Sequence, residues 1–150
     1  MQKVAYQDLS GLAGKEIGLS EWVLLDQAKV NQFADATGDH QWIHVDVERA
    51  KREMPSGGTI VHGYFTLSLI PKFMFELLEI TGVSQIINYG ANKVRFTNMV
   101  PTGSKVRGRL KVASTAPKGK GVMMTAEMTI EIEGQTQPAC IAEVIMLALP

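Results

Sequence analysis

The chain has one cysteine in 150 residues, Cys140, and without a second thiol it can form no internal disulfide. That excludes the disulfide-stapled secreted scaffolds and any need for an oxidising compartment. Cys140 sits in an apolar run near the end of the sequence, where a free thiol behaves as a small hydrophobe. Neither charge is in excess: 15 Lys+Arg balance 15 Asp+Glu, and the formal net charge is zero. A neutral chain with no basic run lacks the electrostatic footprint for nucleic acid or an anionic membrane surface. Long hydrophobic runs are missing too. The most apolar stretch, Ile60 to Leu78, carries His62, Pro71, Lys72 and Glu76, too much polarity for a membrane span. Residues Met1 to Asp8 lack the apolar core of a secretory signal. The expectation is a cytoplasmic protein.

Low-complexity segments, Pro/Ser linkers and internal repeats are likewise missing, so residues 1–150 are expected to form one domain. At 45% apolar and 20% charged, the chain can bury enough surface to fold, which rules out wholesale disorder. The first clear periodicity follows Asp26. Val30, Phe33, Ala34 and Thr37 recur at i, i+3, i+4 and i+7, one face of a helix. Asp26 suits its first turn and Gly38 a left-handed stop, which puts Asp39 in the loop beyond. A second helix is predicted from about Gly63 to Ile80, apolar nearly all the way round, as in a helix enclosed by the rest of the protein. Pro71 is expected to kink or break it.

The remainder reads as strands. From Val122 to Glu133 apolar and polar residues alternate, and Lys105 to Val112 does the same around Val106, Leu110 and Val112. Pro117 to Gly121 is turn-prone, which predicts an antiparallel hairpin, with one allowed register pairing Arg109 with Glu127 and Lys105 with Glu131. Further strands are expected around 17–24, 86–96 and 139–149. Strands on both sides of one buried helix imply an α+β fold, a curved antiparallel sheet wrapped around that helix. The last strand is apolar on both faces, as if a partner subunit covered part of the sheet.

Three histidines are few enough to weigh singly. Asp39 and His44 stand five positions apart just past a helix stop. A carboxylate and an imidazole so placed can converge on one site and hold a water as base and acid, although Asp after a helix is also ordinary turn chemistry. His40 and His44 have the i, i+4 spacing of a metal pair, but no Cys or acidic cluster accompanies them. No metal is expected, and His40 reads as a solvated loop residue. His62 suits a bond to loop backbone. Gly63 opens the buried helix, where a residue without Cβ lets a ligand reach free N–H groups and stabilise an oxyanion.

The segment Phe33 to His44, followed five residues later by Ala50, resembles the hydratase motif of MaoC-like (R)-specific enoyl-CoA hydratases, which are hot-dog-fold proteins. Ile60-Val61-His62-Gly63-Tyr64 is similar to that family's entry into its central helix, and Phe96 to Ser104 to its later strand turn. Asn88 to Phe96 resembles the nodulation-protein-N-like branch. The resemblance implies that Asp39 and His44 form the catalytic pair that orients and activates the added water. It implies that the backbone N–H of Gly63 holds the thioester oxygen, with syn addition giving an (R)-3-hydroxyacyl product. An acyl-CoA substrate and a homodimer are implied as well, with the acyl chain along the subunit interface and no metal or redox cofactor.

Two departures bear on the acyl tunnel. Gln41-Trp42 stands where the motif has Asn-Pro, and Val61 where a small Ala is common. Trp42 and Val61 are therefore expected to narrow a tunnel also bordered by Tyr64 and Asn88. Ser56, Asn88 and Asn92 are alternatives for a further polar helper. A hot-dog acyl-CoA thioesterase and a non-catalytic acyl-thioester binding module are the rival uses of the same residues.

Overall fold

The expected hairpin forms the spine of the sheet in the computed structural model, which describes residues 1–150. Strand β6 (Lys105–Lys118) pairs antiparallel with β7 (Gly121–Ile132), and β7 with β8 (Cys140–Leu149). β8 pairs with β5 (Gln85–Arg95), and β6 with the short strands β2 (Glu16–Leu19) and β3 (Val23–Leu24). The six strands run in the order β2-β6-β7-β8-β5, with β3 beside β6. Alternation does what it predicts: Met124, Ala126, Met128, Ile130 and Ile132 of β7 are buried with Val106, Leu110 and Val112 of β6.

The hairpin register differs from the expected one by two residues. Arg107 faces Glu131, Arg109 faces Thr129 and Lys111 faces Glu127. The turn is the cause. Lys118 already pairs with Gly121, and an irregularity between Val112 and Ser114 takes up one residue. A two-residue slip keeps every side chain on its face, so core and surface stay as read while the ion pairs change. Glu131 receives both Arg107 at 2.8 Å and Arg109 at 2.9 Å, and Lys105 reaches Glu133 at 3.7 Å.

The central helix is shorter and more open than its composition suggests. It comprises α4 (Gly63–Ser68) and α5 (Ile70–Leu77), interrupted at Leu69 just before Pro71, which takes a position in the first turn of α5. Leu78 to Thr81 leaves the helix as strand β4, paired in parallel with β1 (Gln2–Ala5). Thr66, Ile70, Phe73, Met74 and Leu77 are buried, whereas Tyr64 is 69% and Phe75 52% exposed. One stripe of the helix, not its whole circumference, is therefore enclosed within a single chain. It meets the sheet at Gly108 of β6, where a Cβ would lie 2.8 Å from Phe73 Cβ. A curved antiparallel sheet packed on this helix is the hot-dog fold.

Three further α-helices precede the central one and pack in series, α1 (Gln27–Thr37) on α2 (Trp42–Val45) and α2 on α3 (Val47–Glu53). No helix is long and apolar enough to cross a membrane.

Candidate active site

Local rules deliver each side chain of the site. Asp26 caps α1 by accepting from Lys29 N at 2.9 Å, and Val30 and Ala34 bury its inner face. Gly38 ends the helix at φ +80°, donating to Ala34 O, a conformation that side chains with Cβ rarely adopt. Asp39 follows at once. Its Oδ1 accepts from Gln41 N at 3.3 Å, an Asx-type turn, and its side chain remains 50% exposed. That turn leads into α2, a single helical turn that presents His44 inward, and Asp46 then caps α3 through Arg49 N at 3.0 Å.

His44 is buried and held from below. Its Nδ1 lies 2.7 Å from Ile60 O, while Ile60 N donates to Ile43 O at 3.0 Å. A carbonyl only accepts, so Nδ1 carries the proton and Nε2 is left with a bare lone pair. Burial pushes the His44 pKa below its ordinary 6.5, and nearby His62 adds to this. The Ile60 carbonyl and Asp39 oppose the shift without cancelling it. Near pH 7 the imidazole is neutral, a base at Nε2.

His62, the residue before α4, completes the cluster. Its Nε2 donates to Asp39 O at 3.0 Å and lies 4.0 Å from Asp39 Oδ2. The loop-backbone bond read from sequence is therefore present. What spacing did not disclose is the stack of the two imidazoles, with centroids 3.8 Å apart and planes 23° apart. Phe33 of α1 packs on His62 and, in parallel, on Phe65, tying α1 to the start of α4. One ligand-capable atom from each of Asp39, His44 and His62 falls within a 4.8 Å cluster. The set fits a metal poorly. The in-plane lone pairs of stacked rings lie in two separate planes, here 3.8 Å apart between centroids and 23° from parallel, so they do not readily meet at one ion at about 2.0–2.1 Å.

A cavity of about 550 Å³ opens above this cluster, lined by His44, Ile60, Val61, Gly63, Thr66, Phe96, Thr97, Asn98, Met99, Val100 and Ala139. Gly63 and His44 thus share it. A Cβ on Gly63 would lie 3.0 Å from Phe96 Cδ1, so the aromatic ring rests on the glycine itself. The first N–H groups of a helix have no intrahelical partner, which leaves the Gly63 end of α4 with donor capacity at the cavity wall.

Of the four residues expected along a tunnel, Val61 lines this cavity and Tyr64 stands edge-on to Phe96 at 5.8 Å. Trp42 does not line it, and its ring lies 4.0 Å beneath the Arg49 guanidinium. Asn88 lines a second cavity of about 360 Å³ between the central helices and β5. Ser56 bonds to Gly58 O and Asn92 to Glu143, and neither lines the His44 cavity. Besides His44, the polar side chains of that cavity are Thr66, Thr97 and Asn98. His40 is an exposed loop residue paired with Asp35 at 2.9 Å.

Comparison with known proteins defines the class. Residues 8–133 match the model of the MaoC like domain, and the chain belongs to the MaoC-like dehydratase family. It is 49% identical over 140 residues to 3-hydroxyacyl-thioester dehydratase Z of Mycobacterium tuberculosis, covering 93% of this chain and 92% of that protein. It is 43% identical over 150 residues to nodulation protein N of Rhizobium meliloti, covering 99% and 93%. Among solved structures, the (R)-hydratase of A. caviae involved in PHA biosynthesis superposes with a TM-score of 0.74 at 22% identity. That superposition covers 92% of this chain and 96% of the other, and it supports the fold alone.

Proposed function

We propose that this protein is an (R)-specific enoyl-CoA hydratase, run in reverse as a 3-hydroxyacyl-CoA dehydratase. The carrying observation is that a neutral histidine with a free Nε2 and a helix start without Cβ line one cavity, with the Asp39 carboxylate clustered within 4.8 Å of that histidine although it does not itself line the cavity. In this reading water sits between Asp39 and His44. His44 Nε2 takes its proton as the oxygen adds to the β-carbon, and the electron pair moves to the thioester oxygen. The N–H of Gly63 holds that enolate oxygen, an interaction stronger in the transition state than in the ground state. The His44 imidazolium then returns a proton to the α-carbon on the same face, so addition is syn and the base is regenerated. Asp39 orients the water and favours the imidazolium that forms in passing.

No metal or redox cofactor enters this scheme, because the thioester itself acidifies the α-position. Val61 shortens the space for the acyl chain relative to an alanine. A homodimer would cover the exposed stripe of Tyr64 and Phe75 and the apolar outer face of β8. Turnover of crotonyl-CoA to the (R)-3-hydroxy product, and its loss in Asp39→Asn and His44→Ala, tests the assignment.

A further inference from the structure

We infer that Gln27 is a positioning residue for the Asp39–His44 pair, clipping the main chain of His44 to Thr59 through its carboxamide. The inference rests on the reading of Asp39 and His44 as the catalytic pair and adds a residue that lies outside both the motif and the cavity.

Gln27 is the first residue of α1, and both its amide N–H groups and its amide oxygen are bonded. Nε2 donates to His44 O at 2.8 Å and to Asn31 Oδ1 at 2.9 Å, while Oε1 accepts from Thr59 Oγ1 at 2.6 Å. The orientation is not free to flip. His44 O can only accept, so the NH₂ must face it, and Oε1 must then face Thr59. Since the one hydroxyl proton of Thr59 goes to Gln27, the 2.8 Å contact between Thr59 and Thr102 is a donation from Thr102. Thr59 is buried, and Thr102 N binds Thr59 O at 2.9 Å, so the far end of the clip is anchored.

The clip closes a ring around the catalytic base. Thr59 and Ile60 are neighbours, and Ile60 O holds the His44 imidazole while Ile60 N holds Ile43 O. No other side chain donates to the His44 carbonyl. The turn that carries His44 needs such a tether, because α2 has four residues and no side-chain cap at Gln41. Gln27 also couples the two halves of the pair. Helix α1 begins at Gln27, runs 11 residues to Thr37 and, past Gly38, releases Asp39. One stiff element is thereby bonded to His44 at its start and carries Asp39 at its end. A misplacement of about 1 Å between base and water is enough to cost roughly 10²-fold in rate.

The test compares Gln27→Leu, Gln27→Glu, Thr59→Val and the double variant Gln27→Leu/Thr59→Val. Gln27→Glu keeps an acceptor for Thr59 but sets an oxygen against His44 O, so both Gln27 variants lose the clip. With crotonyl-CoA, kcat is expected to fall about 10–100-fold in each, with KM within a few-fold. Thr59→Val should lose less, and the double variant no more than Gln27→Leu. Wild-type kcat in Gln27→Leu overturns the proposal, as do additive losses that merely follow melting temperature. Imidazole nitrogen NMR reads the clip without turnover. Asp39 and His62, the titratable groups facing His44, are unchanged in these variants. The His44 midpoint is expected to move up toward 6.5 in Gln27→Leu, with mixed tautomers. An unchanged His44 spectrum overturns the clip even if no enoyl-CoA is turned over, whereas absent turnover with an altered spectrum sinks only the functional reading.

Discussion

His62 touches both halves of the proposed catalytic pair: its ring stacks on His44 at 3.8 Å, and its Nε2 donates to the backbone oxygen of Asp39 at 3.0 Å. Its Nδ1 is buried with no partner. Such an arrangement spends a polar group to fix geometry. Replacing His62 by Phe keeps a stacked ring but orphans Asp39 O, a loss of about 1–3 kcal/mol if that oxygen stays dry. The expected outcome is a kcat reduced about tenfold or more with KM little changed. Steady-state kinetics on His62→Phe beside a thermal melt checks it.

The pH dependence follows from burial of His44. Its folded-state pKa lies below 6.5, so it remains neutral until the medium is more acidic than that. Hydration needs the neutral form. kcat/KM should rise with pH along an acid limb whose midpoint falls below 6.5, and then level off. Stability has the same sign. The unfolded chain binds the proton more readily, so stability is whole above about 6.5 and is lost as pH falls toward the folded value. Melting curves between pH 4.5 and 7.5 should show this fall, and His44→Asn should flatten it.

Much of this site was legible in advance, and the reason is local. Asp26, Gly38 and Asp39 obey capping rules that act within four residues, so the helix stop and the carboxylate beyond it were readable. Alternation likewise settled the faces of β6 and β7. Register was not legible, because a tight turn at Lys118–Gly121 and one irregularity decided it over the charge pairs. The end of the central helix was missed because β1 captures Leu78–Thr81 from 76 residues away. The His44–His62 stack and the Gln27 bonds also join positions far apart in sequence. A Gln opening a helix just after its Asp cap was the one signal available for the latter, and spacing alone does not single it out.

Gly63 is predicted to be intolerant for a reason other than backbone torsion. A methyl there would lie 3.0 Å from Phe96 Cδ1. Gly63→Ala should lose at least tenfold in kcat/KM, a moderate fraction of the cost of losing an oxyanion donor. Gly63→Ala/Phe96→Ala should recover part of it by giving the methyl room. Full activity in Gly63→Ala would show that substrate does not use the close approach.

The sheet contact beneath the site sets a stability prediction. At Gly108 a Cβ would meet Phe73 Cβ and Met128 Sδ, both at 2.8 Å. Overpacking of this kind costs about 1–3 kcal/mol. Gly108→Ala should lower the unfolding free energy read from urea melts by that amount, and Gly108→Val by more.

Cys140 should be inert in the folded protein. Burial raises its thiol pKa to about 11, so almost no thiolate exists at pH 8. A thiol-specific disulfide reagent should label it only after denaturation. Rapid labelling of the native protein would mean that β8 opens.

The central claim is tested most directly by following purified protein with crotonyl-CoA and resolving the product on a chiral phase. The account predicts (R)-3-hydroxybutyryl-CoA, with kcat lowered about 10²-fold or more in Asp39→Asn and in His44→Ala, as for acid–base groups. Free CoA released from a saturated acyl-CoA, or ligand-induced thermal stabilisation with no turnover of any C4–C16 enoyl-CoA, would contradict it.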